Sequence, residues 1–350
     1  MQILDCTFRD GGYYTNWNFT NKLLDEYLKT VAKLPISIVE LGYLSHNKDF
    51  NGPFYHLNNN FLKTCKKKLN KKQKIYAMIN AKEIKNANQL ILLLKETHKN
   101  IDGVRFAISP YDVEKFLPFI KKASKKFQKI SFNVNLMYLS KWYKDLNFAK
   151  KTLRKLTGQV ETISIVDSYG ALQPNEISNF VKKIKEKNLK LGCHFHNNCG
   201  LALANTLSAV DAGCEVADTT FKGMGRGAGN AETEMLIALK NPIKPKISSF
   251  DISNLIDKFD KMKSDMKWGG SYAYAYAAKA GFSQNQMMDL IQKRRLDPGM
   301  AVNAISSTNQ NINKIKFKNL KNLKRLSRSA HNIPVLIGGA PSLNEFGLQL

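Results

Sequence analysis

A (β/α)8 TIM barrel with a C-terminal helical subdomain is the fold class this sequence predicts, and three observations predict it. Short β-rich apolar runs alternate with longer amphipathic segments from the start to about residue 240. Eight such runs can be marked off, which suits a closed parallel barrel better than an open doubly wound sheet. The alternation then stops at NPIKPKISSF, where Pro242 and Pro245 break the chain, and the stretch beyond them reads as helices.

Taken in order, the expected strands are ILDCTF (3–8), SIVELGY (37–43), KIYAMIN (74–80) and GVRFAI (103–108). They continue with ISFNVNLM (130–137), ETISIVDS (161–168), KLGCHFH (190–196) and EVADTTFKG (215–223). Helical patterns such as NKLLDEYLKTVAKL and PNEISNFVKKIKEK lie between them, and Pro174 suits the first turn of the second. Past the prolines, ISNLIDKFDKM, SYAYAYAAKAGF and NQMMDLIQKRR read as a smaller helical unit packed on the barrel. The division predicted is therefore 1–245 for the catalytic barrel, 246–330 for the helical subdomain and 331–350 for a tail. In that tail NIPVLIGGAPSLNEF reads as a short strand and a glycine turn, which either opens a further domain or adds an edge strand.

Bulk properties narrow the function. Of the 350 residues, 43% are hydrophobic and 23% charged, values ordinary for a globular domain. No run approaches the ~18 apolar residues a membrane helix needs, and MQILDCTFRD lacks a signal peptide's basic and apolar regions. The five cysteines form no CxxC pair, which fits a reduced, cytoplasmic protein without a disulfide framework. The net charge of +26 raises the question of a nucleic-acid partner. Its lysines, however, are dispersed over expected surface helices without interleaved aromatics, so a compositional bias toward lysine and asparagine explains it better. Such a surface would still draw in an anionic substrate.

The strongest chemical signal is His194-Phe195-His196 at the end of the seventh strand. Residues two apart on a strand share a face, so both imidazoles can face the barrel mouth and hold one metal ion. Asp10, just beyond the first strand, reaches the same mouth and supplies a carboxylate. Strict alternation would send Arg9 and Asp10 to opposite sides, so the strand is expected to end or bend there, with Gly11-Gly12 giving the freedom. Beside a metal-bound 2-oxo acid Arg9 can hold the charge of an enolate oxygen, the alternative being a structural ion pair at the barrel rim, and Glu40, at the end of the second strand beside the substrate, is its natural partner. After the eighth strand, FKGMGRGAGNAETE carries four glycines in seven residues, so its backbone can approach a ligand closely. Asn230 closes that loop and offers an oxygen to a metal or its water. Asp167-Ser168 end the sixth strand, where they can contact a substrate carboxylate or order water.

On these residues the sequence resembles the HMG-CoA lyase-like metallolyase superfamily, whose signature pairs an RD turn after strand one with HxH on strand seven. The stretch CHFHNNCGLALANTLSAVDAGCEVADTTFKGMGRGAGNAETE is particularly similar to the 4-hydroxy-2-oxovalerate (pyruvate) aldolases, and the resemblance covers roughly the first two-thirds of the chain. It implies Asp10, His194 and His196 as metal ligands, with Asn230 a further one, Arg9 as enolate stabiliser and Ser168 as a substrate contact. The ligand types favour Mn2+ or Mg2+. One departure stands out: those aldolases place a histidine base three residues after the aspartate, where this chain has Tyr13. An unperturbed tyrosine titrates near about 10, so Tyr13 is expected to act as an acid, unless metal-bound water, Tyr14 or His46 takes the proton.

The expected function is a divalent-metal-dependent (class II) aldolase that cleaves or forms a C–C bond of a 4-hydroxy-2-oxo acid through a pyruvate-type enolate. The rivals are a Claisen-type acyl-CoA:2-oxo acid acyltransferase of the same superfamily and a polyanion-binding barrel. The first turn reads RDGGYY rather than the synthases' RDGEQ, and the retained Arg9, Asp10, His194 and His196 argue for an enzyme. The expected partners are a small 2-oxo acid and an aldehyde, without membrane or nucleic acid, and the chain is compatible with a homo-oligomer. Related catabolic aldolases dock a dehydrogenase through their C-terminal region, and the segment 251–295 gives no independent evidence of one.

Overall fold

The structure is a computed structural model that describes residues 1–240, 249–293 and 296–306. Eight parallel strands close into a barrel in chain order. They are β1 (Gln2–Asp5), β2 (Ile38–Tyr43), β3 (Lys74–Asn80), β4 (Gly103–Ile108), β5 (Ser131–Leu136), β6 (Thr162–Asp167), β7 (Leu191–Phe195) and β8 (Val216–Thr219). Closure is made by β1 on β8, with Leu4 opposite Asp218 and Asp5 opposite Thr219. The helices around and above the barrel are α1 (Thr7–Thr15), α2 (Asn21–Val31), α3 (Asn59–Lys66), α4 (Ala87–Thr97) and α5 (Val113–Lys126). They continue with α6 (Leu139–Trp142), α7 (Leu146–Leu156), α8 (Pro174–Ile184), α9 (Ala202–Asp211) and α10 (Thr233–Lys240). Beyond them come α11 (Ser249–Met266), α12 (Tyr272–Ala280), α13 (Gln284–Met288) and α14 (Pro298–Ser306). No helix among the described residues is long and apolar enough to cross a membrane.

The barrel interior is layered. Leu4, Cys6, Ile38, Tyr76 and Val216 form a small separate buried cluster. Side chains two residues farther along a strand share a face, so Glu40 follows Ile38 and Asp218 follows Val216 one step nearer the carboxyl end. There the lining turns from apolar to charged. The large core lies outside the strands, between them and the helices, and Leu255, Phe259 and Trp268 from the α11 region belong to it. By contrast, Tyr274, Ala277, Phe282, Met287 and Leu290 gather in a second cluster built on α12–α14.

Two expectations need correction. The first strand ends at Asp5 rather than running to residue 8, and RDGGYY lies on α1, not on a bent strand. Thr7 turns the chain by donating its N–H to Asp5 Oδ1 at 3.1 Å, and Phe8 stacks on Phe54 with centroids 4.9 Å apart. Gly11 and Gly12 serve closeness rather than freedom: a Cβ at Gly12 would lie 2.1 Å from the Trp17 ring, and one at Gly11 2.6 Å from Met224 Sδ. The eighth strand likewise stops at Thr219, and Phe221–Gly223 form a 3-10 turn. The tail segment NIPVLIGGAPSLNEF lies outside the described residues.

Candidate metal centre and active-site cavity

A helix that starts directly after a barrel strand sets three neighbouring side chains over the mouth. On α1, Arg9, Asp10 and Tyr13 all line a cavity of about 540 Å3, together with His194 and His196 from β7 and its end. Asp10, His194 and His196 each offer one ligand atom, and these atoms lie within 4.8 Å of one another. All three side chains are buried. Burial pushes the Asp10 carboxyl upward, but Arg9, His196, His194 and Arg226 outweigh it and hold the group well below the usual carboxylate range. Burial, with His194 beside it, keeps His196 well below the ordinary imidazole range, hence neutral.

The hydrogen bonds orient both rings. His194 Nδ1 lies 3.1 Å from Asp218 Oδ2, and His196 Nδ1 lies 3.2 Å from the Gly229 carbonyl. A carbonyl only accepts, so His196 carries its proton on Nδ1 and leaves the Nε2 lone pair for a ligand. For His194 the ionised Asp218 favours the same tautomer, and Nε2 points toward Asp10 Oδ2 at 3.7 Å. Asn230 donates from Nδ2 to Asp10 Oδ2 at 2.5 Å, while its Oδ1 is buried without a hydrogen-bond partner. A buried amide oxygen without a donor costs about 1–3 kcal/mol unless a cation meets it. The donor set of one carboxylate, two imidazoles and one free amide oxygen therefore fits a divalent ion.

Arg9 is held by two of its three nitrogens. Nε donates to Glu40 Oε1 at 2.7 Å and Nη1 to Asp10 Oδ1 at 2.7 Å, whereas the buried Nη2 has no partner. The Trp17 indole N–H donates to the Arg9 carbonyl at 2.8 Å and fixes this turn of α1. Glu40 sits beneath Arg9 and is not among the cavity-lining residues. Its other oxygen accepts from Arg105 Nη1 at 3.2 Å, and Arg105 Nη2 reaches Asp218 Oδ2 at 2.5 Å. A buried chain thus runs from Asp10 through Arg9, Glu40, Arg105 and Asp218 to His194.

Other expected residues lie elsewhere. Ser168 Oγ accepts the Tyr138 N–H at 3.0 Å and shapes the loop after β5; it does not line the cavity. The neighbouring Asp167 accepts the N–H groups of Ala171 and Leu172, 2.8 and 3.0 Å away, and so organises the loop after β6. Tyr14 donates its hydroxyl to the Gly227 carbonyl at 2.8 Å, and burial pushes its phenol far up. His46 is exposed and meets Glu96 at 3.1 Å, outside the cavity. Cys6 also falls within reach of His194 and Asp218, but burial pushes its thiol well up and it bonds the Thr219 carbonyl, so it stays protonated.

Three residues escaped the sequence reading: Arg105, Asp218 and Arg226. The first two carried a usable signal, a charge inside an expected β-rich strand. Arg226 sits in the glycine loop, with its guanidinium 5.3 Å from the Tyr13 ring centroid.

Comparison with known proteins places the chain among relatives. The chain is 26% identical over 267 residues to an oxaloacetate decarboxylase of Mycobacterium tuberculosis (strain ATCC 25618 / H37Rv), covering 75% of this chain and 76% of that enzyme. Over 79 residues it is 47% identical to a 4-hydroxy-2-oxovalerate aldolase of Pelotomaculum thermopropionicum, a match spanning 22% of this chain and 23% of the aldolase. Among solved structures, the N-terminal domain of a protein predicted to be an aldolase, from Bacteroides vulgatus, superimposes with a TM-score of 0.76 at 32% identity. That match covers 83% of this chain and 96% of that one. Residues 1–257 match the HMGL-like family, and the chain belongs to it.

Proposed function

We propose that this protein is a carbon–carbon lyase of the class II aldolase kind, making or consuming a pyruvate-type enolate. The observation that carries this reading is the free, buried Nη2 of Arg9 beside the Asp10, His194 and His196 cluster. Asp10, His194 and His196 would hold Mn2+ or Mg2+, with Asn230 Oδ1 as a further donor. When bound there, the ion would supply Lewis acidity toward the 2-oxo acid.

The chain's own groups account for the rest. Arg9 Nη2 donates to the oxygen on which enolate charge develops, and Glu40 keeps the guanidinium fixed while it does so. In cleavage, the C3–C4 bond of a 4-hydroxy-2-oxo acid breaks as the hydroxyl proton leaves. The bond's electron pair passes into the enolate and the aldehyde departs. Tyr13, on the cavity wall one helical turn after Asp10, is the group positioned to move that proton, giving it to the aldehyde oxygen in the reverse direction. Tyr13 passes the hydroxyl proton on to solvent, and a proton added from solvent to the enolate carbon yields pyruvate.

A second reading has an observation of its own. One relative aligned over three quarters of this chain is named an oxaloacetate decarboxylase, as another aligned over the same share is named a 4-hydroxy-2-oxovalerate aldolase, and loss of CO2 from oxaloacetate leaves the same enolate. Both readings require pyruvate enolisation, so the deciding experiment begins there. Protein stripped of metal and reloaded with Mn2+ should exchange the methyl protons of pyruvate with deuterium, then release pyruvate from 4-hydroxy-2-oxo acids. Exchange with oxaloacetate turnover alone would select the decarboxylase. No exchange at any metal loading would refute both readings, and condensation observed only with acyl-CoA would move the chain to the acyltransferases.

A further inference from the structure

The cavity holds a cation that the chemistry just described does not use. Arg226 stands on the loop FKGMGRGAGN, lines the cavity, and presents a buried Nε without a hydrogen-bond partner. No carboxylate forms an ion pair with it among the described residues. The carboxylate nearest in effect, Asp10, is already bonded by Arg9 and Asn230. Arg226 as a whole is half-buried, with its Nε shielded from water and unpartnered, so an anion entering the cavity would meet a guanidinium with a free donor.

The loop is built to keep Arg226 in place. Gly227 and Gly229 hold left-handed conformations, with φ of 61° and 78°. A Cβ at Gly229 would lie 2.1 Å from the Gly223 carbonyl oxygen, and one at Gly227 2.9 Å from the Tyr274 ring. Tyr14 also bonds the Gly227 carbonyl at 2.8 Å. Farther out, Lys82, Lys85 and Lys115 line the same cavity, exposed and without an ion pair among the described residues. Asp112 is the one carboxylate beside them at this rim. Lysines are common over the whole surface, so these three alone would mean little; the half-buried arginine behind them, with its unpartnered Nε, distinguishes this face.

We propose that the electrophile taken by this site is an aldehyde bearing an anionic group, phosphate or carboxylate, gripped by Arg226 behind a rim of Lys82, Lys85 and Lys115. The inference rests on the aldolase reading, in which Arg9 and the metal ligands receive the 2-oxo acid and Tyr13 serves the aldehyde oxygen. Arg226 lies over Tyr13, so the group within its reach is the one attached to the aldehyde. A single charge-assisted contact of this kind is worth roughly 10- to 100-fold in discrimination.

The test compares matched aldehydes in condensation with pyruvate: glycolaldehyde phosphate against glycolaldehyde, and succinic semialdehyde against butanal. The expected result is a kcat/KM at least about 10-fold higher for one anionic member, and whichever pair shows it identifies phosphate or carboxylate. Arg226→Ala should reduce that ratio to near one, Arg226→Lys should retain part of it, and added salt should erode it. Inorganic phosphate should inhibit competitively against the aldehyde and not against pyruvate if phosphate is the group. Equal kcat/KM within both pairs, in wild-type protein that still exchanges the pyruvate methyl protons, overturns this inference and leaves the aldolase reading standing. Absence of that exchange overturns both.

Discussion

Around Asp10 every ionised group is matched, whereas at the rim of the same cavity positive charge is left over. At the floor, Arg9, Asp10, Glu40, Arg105 and Asp218 form a buried chain of alternating sign, closed on His194. The side chains sit on α1 and on strands β2, β4, β7 and β8, so their spacing is set by the barrel itself. At the rim, Arg226 and three lysines share one carboxylate and stand on loops and helix starts. The floor is thus a preorganised electrostatic device whose free valences are few and specific: Arg9 Nη2, Asn230 Oδ1 and two imidazole Nε2 atoms. The rim sets what may come in. The difference assigns chemistry to the rigid part and selection to the loops, and each half can be broken separately.

The largest effect is expected from the floor's ligand set. His194→Ala should lose metal at equilibrium dialysis and lower turnover by more than about 10³-fold, since the ion supplies the site's strongest electrophile. Circular dichroism should still report a folded barrel. Full turnover with no bound metal would end the metal mechanism. Arg9→Ala comes next. It deletes a donor aimed at the developing oxyanion, so kcat should fall about 10²- to 10³-fold with a smaller change in KM. A rise in KM alone would reduce Arg9 to a binding role.

Tyr13 stands where floor meets rim, and its replacement separates the two steps. Tyr13→Phe keeps the ring packed against Trp17, with centroids 4.8 Å apart, and removes one oxygen. Aldol cleavage should drop about 10²-fold, while methyl exchange of pyruvate persists. Equal loss of both would indicate a base shared by both steps. Asp218→Asn is expected to act more mildly on chemistry and more on the metal. It weakens the acceptor for His194 Nδ1 and half the pairing of Arg105, so metal affinity should fall about 10- to 100-fold by calorimetric titration. Unchanged affinity would mean that His194 needs no such orientation.

Much of this was legible in the sequence, and the failures have causes. The alternation of runs gave all eight strands, and the HxH spacing placed two imidazoles on one face, because both signals are local periodicities. Helix α1 was missed because TFRDGGYYT contains two glycines, each costing a helix about 1 kcal/mol relative to alanine. Contacts with Trp17 and Met224, which no local pattern shows, require them there. Glu40, Arg105 and Asp218 were each readable as charged residues in strands. Their mutual pairing spans 65 and 113 residues of sequence and is visible only once the barrel closes. Resemblance makes Ser168 a substrate contact, and its hydrogen bond to the Tyr138 backbone shows what a motif match alone leaves out.

The smallest predicted effect lies at the root of the rim loop. Lys222 holds a left-handed conformation with φ of 51°, and the side chain of Glu234 accepts its N–H with both oxygens at 3.2 Å. The Trp268 indole bonds the Lys222 carbonyl from the other side at 3.0 Å. Burial, with Glu232 nearby, pushes the Glu234 carboxyl from 4.5 up to about 7. Below 4.5 both folded and unfolded chains carry this proton; between 4.5 and about 7 the unfolded chain releases it while the folded chain keeps it. The folded state then binds more protons, so this group's contribution to stability declines as pH rises through that window and levels off above it. Glu234→Gln keeps an oxygen for the Lys222 N–H and removes the titration. Relative to wild type, the variant should gain about 1 kcal/mol between pH 4.5 and pH 8 in denaturant melts, the figure discounted for partial exposure. Its kcat for a neutral aldehyde should change less than twofold, because the floor is untouched. A stability difference that stays flat across pH would mean that Glu234 is ionised throughout, its charge fully met by the loop it anchors.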